Sequence, residues 1–322
     1  MVSGLRSWTA DEQVALLFVV LFGLLLLAGG ALALLGFRER SPAQQAIDER
    51  VQRELRALAV GAGVFWAAWV SGPVGATGLF GVLSFLALRE YVTLVQTRRG
   101  DHRSLLLAFF GVLPVQYVLV ANRNFDLFTV FIPVYAFLAI PVVSALAGDP
   151  HRFLERNAKI QWGLMVCVHG LAHAPALVLL DLRGNQGRGA FLLFFLVVVA
   201  IGAQLAQAGA AQRLRTRPLA RHIDRSFSLP AWGLGVATGA LLGLALAWTT
   251  PFSPLQAMAL GAIAAAAGAL GDLVMRALKK DAGVRYWGNT SSVTGAVGLL
   301  DRVAPLCFAA PVFFHSVRWY FR

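Results

Sequence analysis

The stretch GDLVMRALKKDAGV, residues 271–284, places Asp272, Arg276, Lys279 and Lys280 at intervals of four, three and one. On a helix these intervals put Asp272, Arg276 and either lysine on one face. A carboxylate beside ammonium and guanidinium groups is the donor set of a metal–phosphate site, because carboxylate oxygen suits a hard divalent ion and the cations suit phosphate oxygens. Asp301-Arg302 repeats the pairing just before the last apolar run. Ionisable groups so near a membrane-spanning segment are functional candidates by default. The same residues also suit an interfacial ion-pair cluster that closes a helix, and physical chemistry alone leaves these two readings level.

A second grouping is His169 and His173 in VCVHGLAHAPAL, four apart, the helical spacing of a two-histidine metal pair. No third ligand stands nearby in the sequence, so hydrogen-bonded packing is the expected role. Cys167 and Cys307 lie far apart in apolar surroundings and read as buried thiols. No Ser-His-Asp arrangement, haem motif or glycine-rich nucleotide fingerprint is present.

The elements that must position these residues are membrane helices. The chain is 58% hydrophobic and 14% charged, whereas soluble domains carry about 25% charged residues. Runs long enough for a bilayer, roughly 20 residues each, begin with Val14–Phe37, too long and too late for a cleaved signal and therefore read as the first span. Further apolar segments lie near 57–72, 74–88, 104–121, 125–146, 160–180, 189–210, 231–249, 255–275 and 303–320. The expectation is an all-α, polytopic integral membrane bundle of about nine or ten transmembrane helices, forming a single multipass domain over 1–322. Ser71-Gly72-Pro73 interrupts the early pair, which reads as two tight helices or one re-entrant unit. AVGAGV and GLGVATGALLG carry small-xxx-small spacings suited to close helix contact.

Charge sets the expected orientation. Arginine and lysine crowd alternate loops: Arg38 to Arg56, Arg89 to Arg103, Arg152 to Lys159, Arg213 to Arg225, and Arg276 to Arg285. The intervening loops SGP, ANRNFD, DLRGNQGR and TTPFSP are poor in bases. The positive-inside rule then puts the basic loops in the cytoplasm and the N-terminus outside. Topology and attraction to anionic membrane lipids account for most of the net charge of +12. A nucleic-acid partner is not expected of a chain with no soluble domain.

The 271–306 region resembles the signature of the CDP-diacylglycerol synthase (phosphatidate cytidylyltransferase) family, which runs roughly G-D-x-x-x-S-x-x-K-R-x-x-x-x-K-D and ends H-G-G-x-x-D-R-x-D. Gly271-Asp272, Lys279-Lys280 and Asp301-Arg302 occupy matching places. Arg89-Glu90-Tyr91 resembles an acidic-aromatic step of that family, and CFAAPVFFH, TTPFSPLQA and GLAHAPAL look like one bacterial branch of it. The likeness extends over 75–322. It implies a dimeric multipass enzyme of the bacterial inner membrane that joins CTP to phosphatidic acid, releasing pyrophosphate and leaving CDP-diacylglycerol in the bilayer. It further implies that Asp272 and Asp301 are catalytic and hold Mg²⁺, while Lys279, Lys280, Arg285 and Arg302 grip phosphates.

The chain departs from this pattern at several positions. Arg276 stands for the serine, Arg285-Tyr286 for the lysine-aspartate pair, Ala296-Val297-Gly298 for H-G-G, and Ala304 for the final aspartate. An S-P-x-K-T element belongs near HIDRSFSLPAWG, which contains no lysine. Two readings follow: a cytidylyltransferase with a reorganised site, or a catalytically impaired relative acting as a lipid-binding or regulatory membrane protein. Whether Asp272 and Asp301 converge on one cation is the expected discriminator.

Overall fold

The computed structural model describes residues 66–95, 97–182, 188–214, 216–283 and 298–321, with scattered positions before residue 66. The chain divides into two units, Met1–Gly72 and Pro73–Arg322. In the first, residues 66–70 are helical, as are 12–17 at the start of the expected Val14–Phe37 span, most of which lies outside the described residues.

The second unit carries the candidate site. Its helical passages are α1 (Gly72–Leu94), α2 (Arg99–Ala121) and α3 (Phe125–Ala145), α4 (residues 153–178), α5 (Gly189–Leu214), α6 (Leu229–Ala245), α7 (Pro254–Asp281) and α8 (Leu299–Phe321). No strand occurs among the described residues, as a bilayer requires of any span that is not a closed barrel. Among the described residues five helices, α1, α2, α3, α5 and α7, are long and apolar enough to cross a membrane. That is fewer than the expected nine or ten. α6 has 17 residues, α4 and α8 carry charged residues near their ends, and residues 1–65 lie mostly outside the described set. The exposed side chains fit a lipid surround: Phe110 is 69%, Leu138 64% and Leu241 64% exposed, an arrangement stable in lipid and costly in water.

The break read at Ser71-Gly72-Pro73 is present. Gly72 has φ +68°, a left-handed conformation that glycine adopts without steric penalty, and Pro73 occupies the first turn of α1, where a missing N–H costs no hydrogen bond. Prolines also leave their mark inside α2 and α3, which contain π turns at Leu107–Val112 and Phe131–Ala136. Pro133 lies in the second and Pro114 follows the first; neither can donate to the helical ladder.

α7 is the centre of the unit. It packs against α5, α6 and α8. Small residues make the α6 contact possible: a Cβ on Gly243 would lie 2.3 Å from the Ala257 carbonyl oxygen, and one on Gly239 would lie 2.4 Å from the Ala265 Cβ. The small-xxx-small spacing read in GLGVATGALLG is therefore a backbone-to-backbone seam. Aromatic rings fill the remaining core, with Phe195, Phe252 and Phe313 in mutual contact between α5, the α6–α7 loop and α8.

Candidate functional site

The site is built on the C-terminal end of α7 and the N-terminal end of α8. α7 starts with a reciprocal cap in which Ser253 and Gln256 satisfy each other's backbone N–H groups, with Pro254 at the first helical position. It ends where Gly283 turns to φ +71° and donates to the Lys280 carbonyl at 3.1 Å. Lys279 and Lys280 lie in this last turn, where the helix dipole favours cations.

α8 is capped from a distant part of the chain. Glu90, near the end of α1 and only 3% exposed, accepts hydrogen bonds from the backbone N–H of Gly298 at 2.6 Å and of Leu300 at 2.7 Å. A buried carboxylate thus satisfies donors that the start of a helix leaves without intrahelical partners. This fixes the first turn of α8, and with it Asp301. Tyr91 completes the Glu90-Tyr91 step by donating its hydroxyl to the Lys159 carbonyl of α4 at 3.0 Å.

Within this frame the acidic and basic groups sort into two ion-pair sets. In the first, Asp272 Oδ2 accepts from Arg276 Nε at 2.9 Å and from a terminal Arg276 nitrogen at 2.7 Å. The other terminal nitrogen of Arg276 donates to Asp224 Oδ2 at 2.8 Å. Asp224 is itself set by the loop before α6: its Oδ1 accepts from the Ser226 backbone at 2.8 Å and the Ser226 hydroxyl at 2.7 Å. In the second set Lys279 pairs with Asp301 across the α7–α8 gap. Asp301 is also within electrostatic range of both Glu90 and Arg276. The cluster therefore gathers Glu90, Asp224, Asp272, Arg276, Lys279 and Asp301 from four parts of the sequence at one end of the bundle. Lys280 and Arg302 are exposed beside it. Arg285, Tyr286, Ala296 and Val297 lie outside the described residues.

Asp272 and Asp301 thus stand in one cluster, but each is engaged by a different side-chain cation. Both are already partnered on an oxygen that a metal would use, and among the described residues no group of three or more His, Cys, Asp or Glu side chains is placed to hold a metal ion. A hard ion needs carboxylate oxygens within ~2.0–2.6 Å. An ion on these same two oxygens, Asp272 Oδ2 and Asp301 Oδ1, would have to displace Arg276 or Lys279.

Sequence reasoning missed two features here. Asp224 is the single acid between Arg213 and Arg225, a signal that an isolated carboxylate in a basic loop has a partner. The second is a buried network where α2 and α4 begin: Arg156 of α4, 5% exposed, meets Asp101 in the first turn of α2, 1% exposed, at 2.9 Å and Asp149 of the loop before α4 at 2.6 Å. The spaced charges in RRGD and GDPHRFLER carried that possibility, but the pairing spans 55 residues and has no local period.

The histidines occupy a different place. His173 Nδ1 donates to the His169 carbonyl at 2.7 Å, Gln116 Nε2 lies 3.4 Å from His169 Nδ1, and His315 of α8 joins them with its ring 5.2 Å from that of His173. Phe128 and Phe314 pack on the same rings. This is the hydrogen-bonded packing expected of the pair, with a third histidine that only the tertiary structure supplies. The ion pair Arg123–Asp181 joins two of the base-poor loops, and Asp126–Arg318 ties one of them to the last turn of α8, at the end of the bundle opposite the α7–α8 cluster.

A family model described as the cytidylyltransferase family matches residues 51–210 and 228–320. The Escherichia coli (strain K12) protein that bears the name Uncharacterized protein YnbB is 35% identical over 252 residues, 78% of this chain and 82% of its own length.

Proposed function

Since the chain belongs to the cytidylyltransferase family, the CDP-diacylglycerol synthase family, we propose that it is a membrane nucleotidyltransferase that moves CMP from CTP to phosphatidic acid. In this reading a phosphate oxygen of the lipid attacks the α-phosphorus of CTP. The bond from that phosphorus to the bridging β-oxygen breaks, pyrophosphate leaves, and CDP-diacylglycerol stays in the bilayer. Such transfer depends on alignment and on neutralising phosphate charge. Lys279, Lys280 and Arg302, with Arg285 further along the sequence, supply positive charge for the phosphates, while Asp272 and Asp301 orient Arg276 and Lys279. The site faces the cytoplasm of a bacterial cell, at the inner membrane, where a soluble nucleotide and a lipid reach it from different sides. The protein acts as a homodimer.

The observation that carries this reading is the meeting of Asp272, Arg276, Lys279 and Asp301 at one end of an apolar bundle, on the segment that resembles the family signature. Its test is purified protein in liposomes with α-labelled CTP, phosphatidic acid and Mg²⁺, beside Asp301→Ala. Labelled CDP-diacylglycerol from the parent and its loss in the variant support the proposal.

The occupation of each aspartate by an internal cation favours a second reading, a non-catalytic relative that binds phosphatidic acid through the same cations. Lipid binding with no labelled product from either protein supports that reading and sinks the first.

A further inference from the structure

The Asp224–Asp272 pair has the form of a cation site whose cation belongs to the chain. The guanidinium of Arg276 lies between two carboxylates from different elements, with Nε and one terminal nitrogen on Asp272 and the other terminal nitrogen on Asp224. Both acids are largely shielded, their side chains 17% and 12% exposed, and Arg276 is 38% exposed. Each acid is held in place independently of Arg276: Asp272 by the α7 backbone next to Gly271, and Asp224 by its turn with Ser226.

We infer that Arg276 takes the place of a divalent ion here, so that the Asp224–Asp272 pair is closed to exchangeable metal by a fixed side-chain charge. Two physical facts carry this. An ion bound to these oxygens would have to sit at ~2.0–2.6 Å, where Arg276 nitrogens already lie at 2.7–2.9 Å from the same oxygens, so the two cations exclude each other by volume as well as by charge. A guanidinium also stays protonated at every physiological pH, so the pair keeps one positive charge whatever the metal supply. The pattern that this region resembles has serine at the position of Arg276. Serine would leave both carboxylates facing an open space, and arginine fills it.

This inference concerns the site named in the proposed function, but its test uses metal alone and needs neither nucleotide nor turnover. The full chain in detergent is titrated with Mn²⁺ and followed by electron paramagnetic resonance of the free ion. Four proteins are compared: parent, Asp272→Asn, Arg276→Ser, and the double variant Arg276→Ser/Asp272→Asn. The expected result is that the parent and Asp272→Asn take up Mn²⁺ alike, while Arg276→Ser binds at least tenfold tighter and the double variant loses that gain. A parent site whose Mn²⁺ uptake Asp272→Asn abolishes overturns the inference. So does a folded Arg276→Ser that gains nothing. If Arg276→Ser does not fold, the comparison of parent with Asp272→Asn decides: equal uptake supports the inference, and a loss overturns it. A parent protein that transfers no CMP leaves these outcomes unchanged, so failure of the reaction and failure of the cation assignment are distinguishable.

Discussion

Replacing Glu90 by glutamine keeps the size of the side chain and removes its charge. Glu90 is almost fully buried and receives two backbone N–H groups at the start of α8. Hydrogen bonds to a charged acceptor contribute about 1.5–3 kcal/mol each, and neutral ones about 0.5–1.5 kcal/mol. The change therefore costs roughly 1 to 1.5 kcal/mol per bond, about 2–3 kcal/mol for the pair, with a further penalty where the amide NH₂ turns toward a donor. At ~1.4 kcal/mol per factor of ten, the Gly298 and Leu300 amides of Glu90→Gln should exchange with solvent about 30- to 150-fold faster than those of the parent. Hydrogen–deuterium exchange with mass spectrometry, on peptides covering residues 298–304 and on an α5 peptide as control, measures this directly. Glu90→Asp, which keeps the charge but shortens the reach, should fall between the two. Unchanged protection over 298–304 in a folded Glu90→Gln protein would refute the reasoning that a buried carboxylate from α1 holds the first turn of α8 and hence Asp301.

Other perturbations test the frame around the site. A Cβ on Gly271 would lie 2.3 Å from Phe308 Cγ and 2.4 Å from its Cβ, so Gly271→Ala should destabilise by about 1–3 kcal/mol through overpacking, seen as a lower melting temperature in detergent. Phe308→Ala in the same chain should recover part of that loss. Arg156→Ala strands Asp101 in the interior and should cost about 3–5 kcal/mol, also by thermal melting; a change within error of zero would mean that the loops are held by other contacts. The Asp149 carboxyl is held below its usual range, first by the His151 backbone N–H and then by Arg156. A depressed native value contributes stability above the unfolded pKa of ~3.9, which is lost as pH falls through the lower native value. Cleavage of the 146–152 loop by an acid protease should therefore rise only below about pH 4 in the parent, and be less pH-dependent in Asp149→Asn.

Much of the polar machinery was legible as residue types but not as partners. Asp272, Arg276 and Lys279 share a helical face because their spacing is local, and the structure keeps them on it, with Arg276 on Asp272. Lys279 could not be paired with Asp301 from the sequence, nor Arg276 with Asp224, since both contacts cross between helices. The metal expected at Asp272 and Asp301 came from resemblance. The arginine standing where that pattern has serine was visible in the sequence, yet its effect depended on where its guanidinium goes. Glu90 shows the same limit: its type and surroundings resembled a family step, while its role as the cap of α8 requires a contact more than 200 residues away.

What the sequence determined by itself is the solvent and the helices. Apolar runs of bilayer length, prolines at breaks and small residues at i,i+4 act through the nearest few residues, so their consequences can be read along the chain. The tertiary structure alone decided which cation neutralises which acid. An ion pair within a largely shielded cluster is chosen by distances of a few ångströms between elements far apart in sequence, and a period along one helix does not encode them.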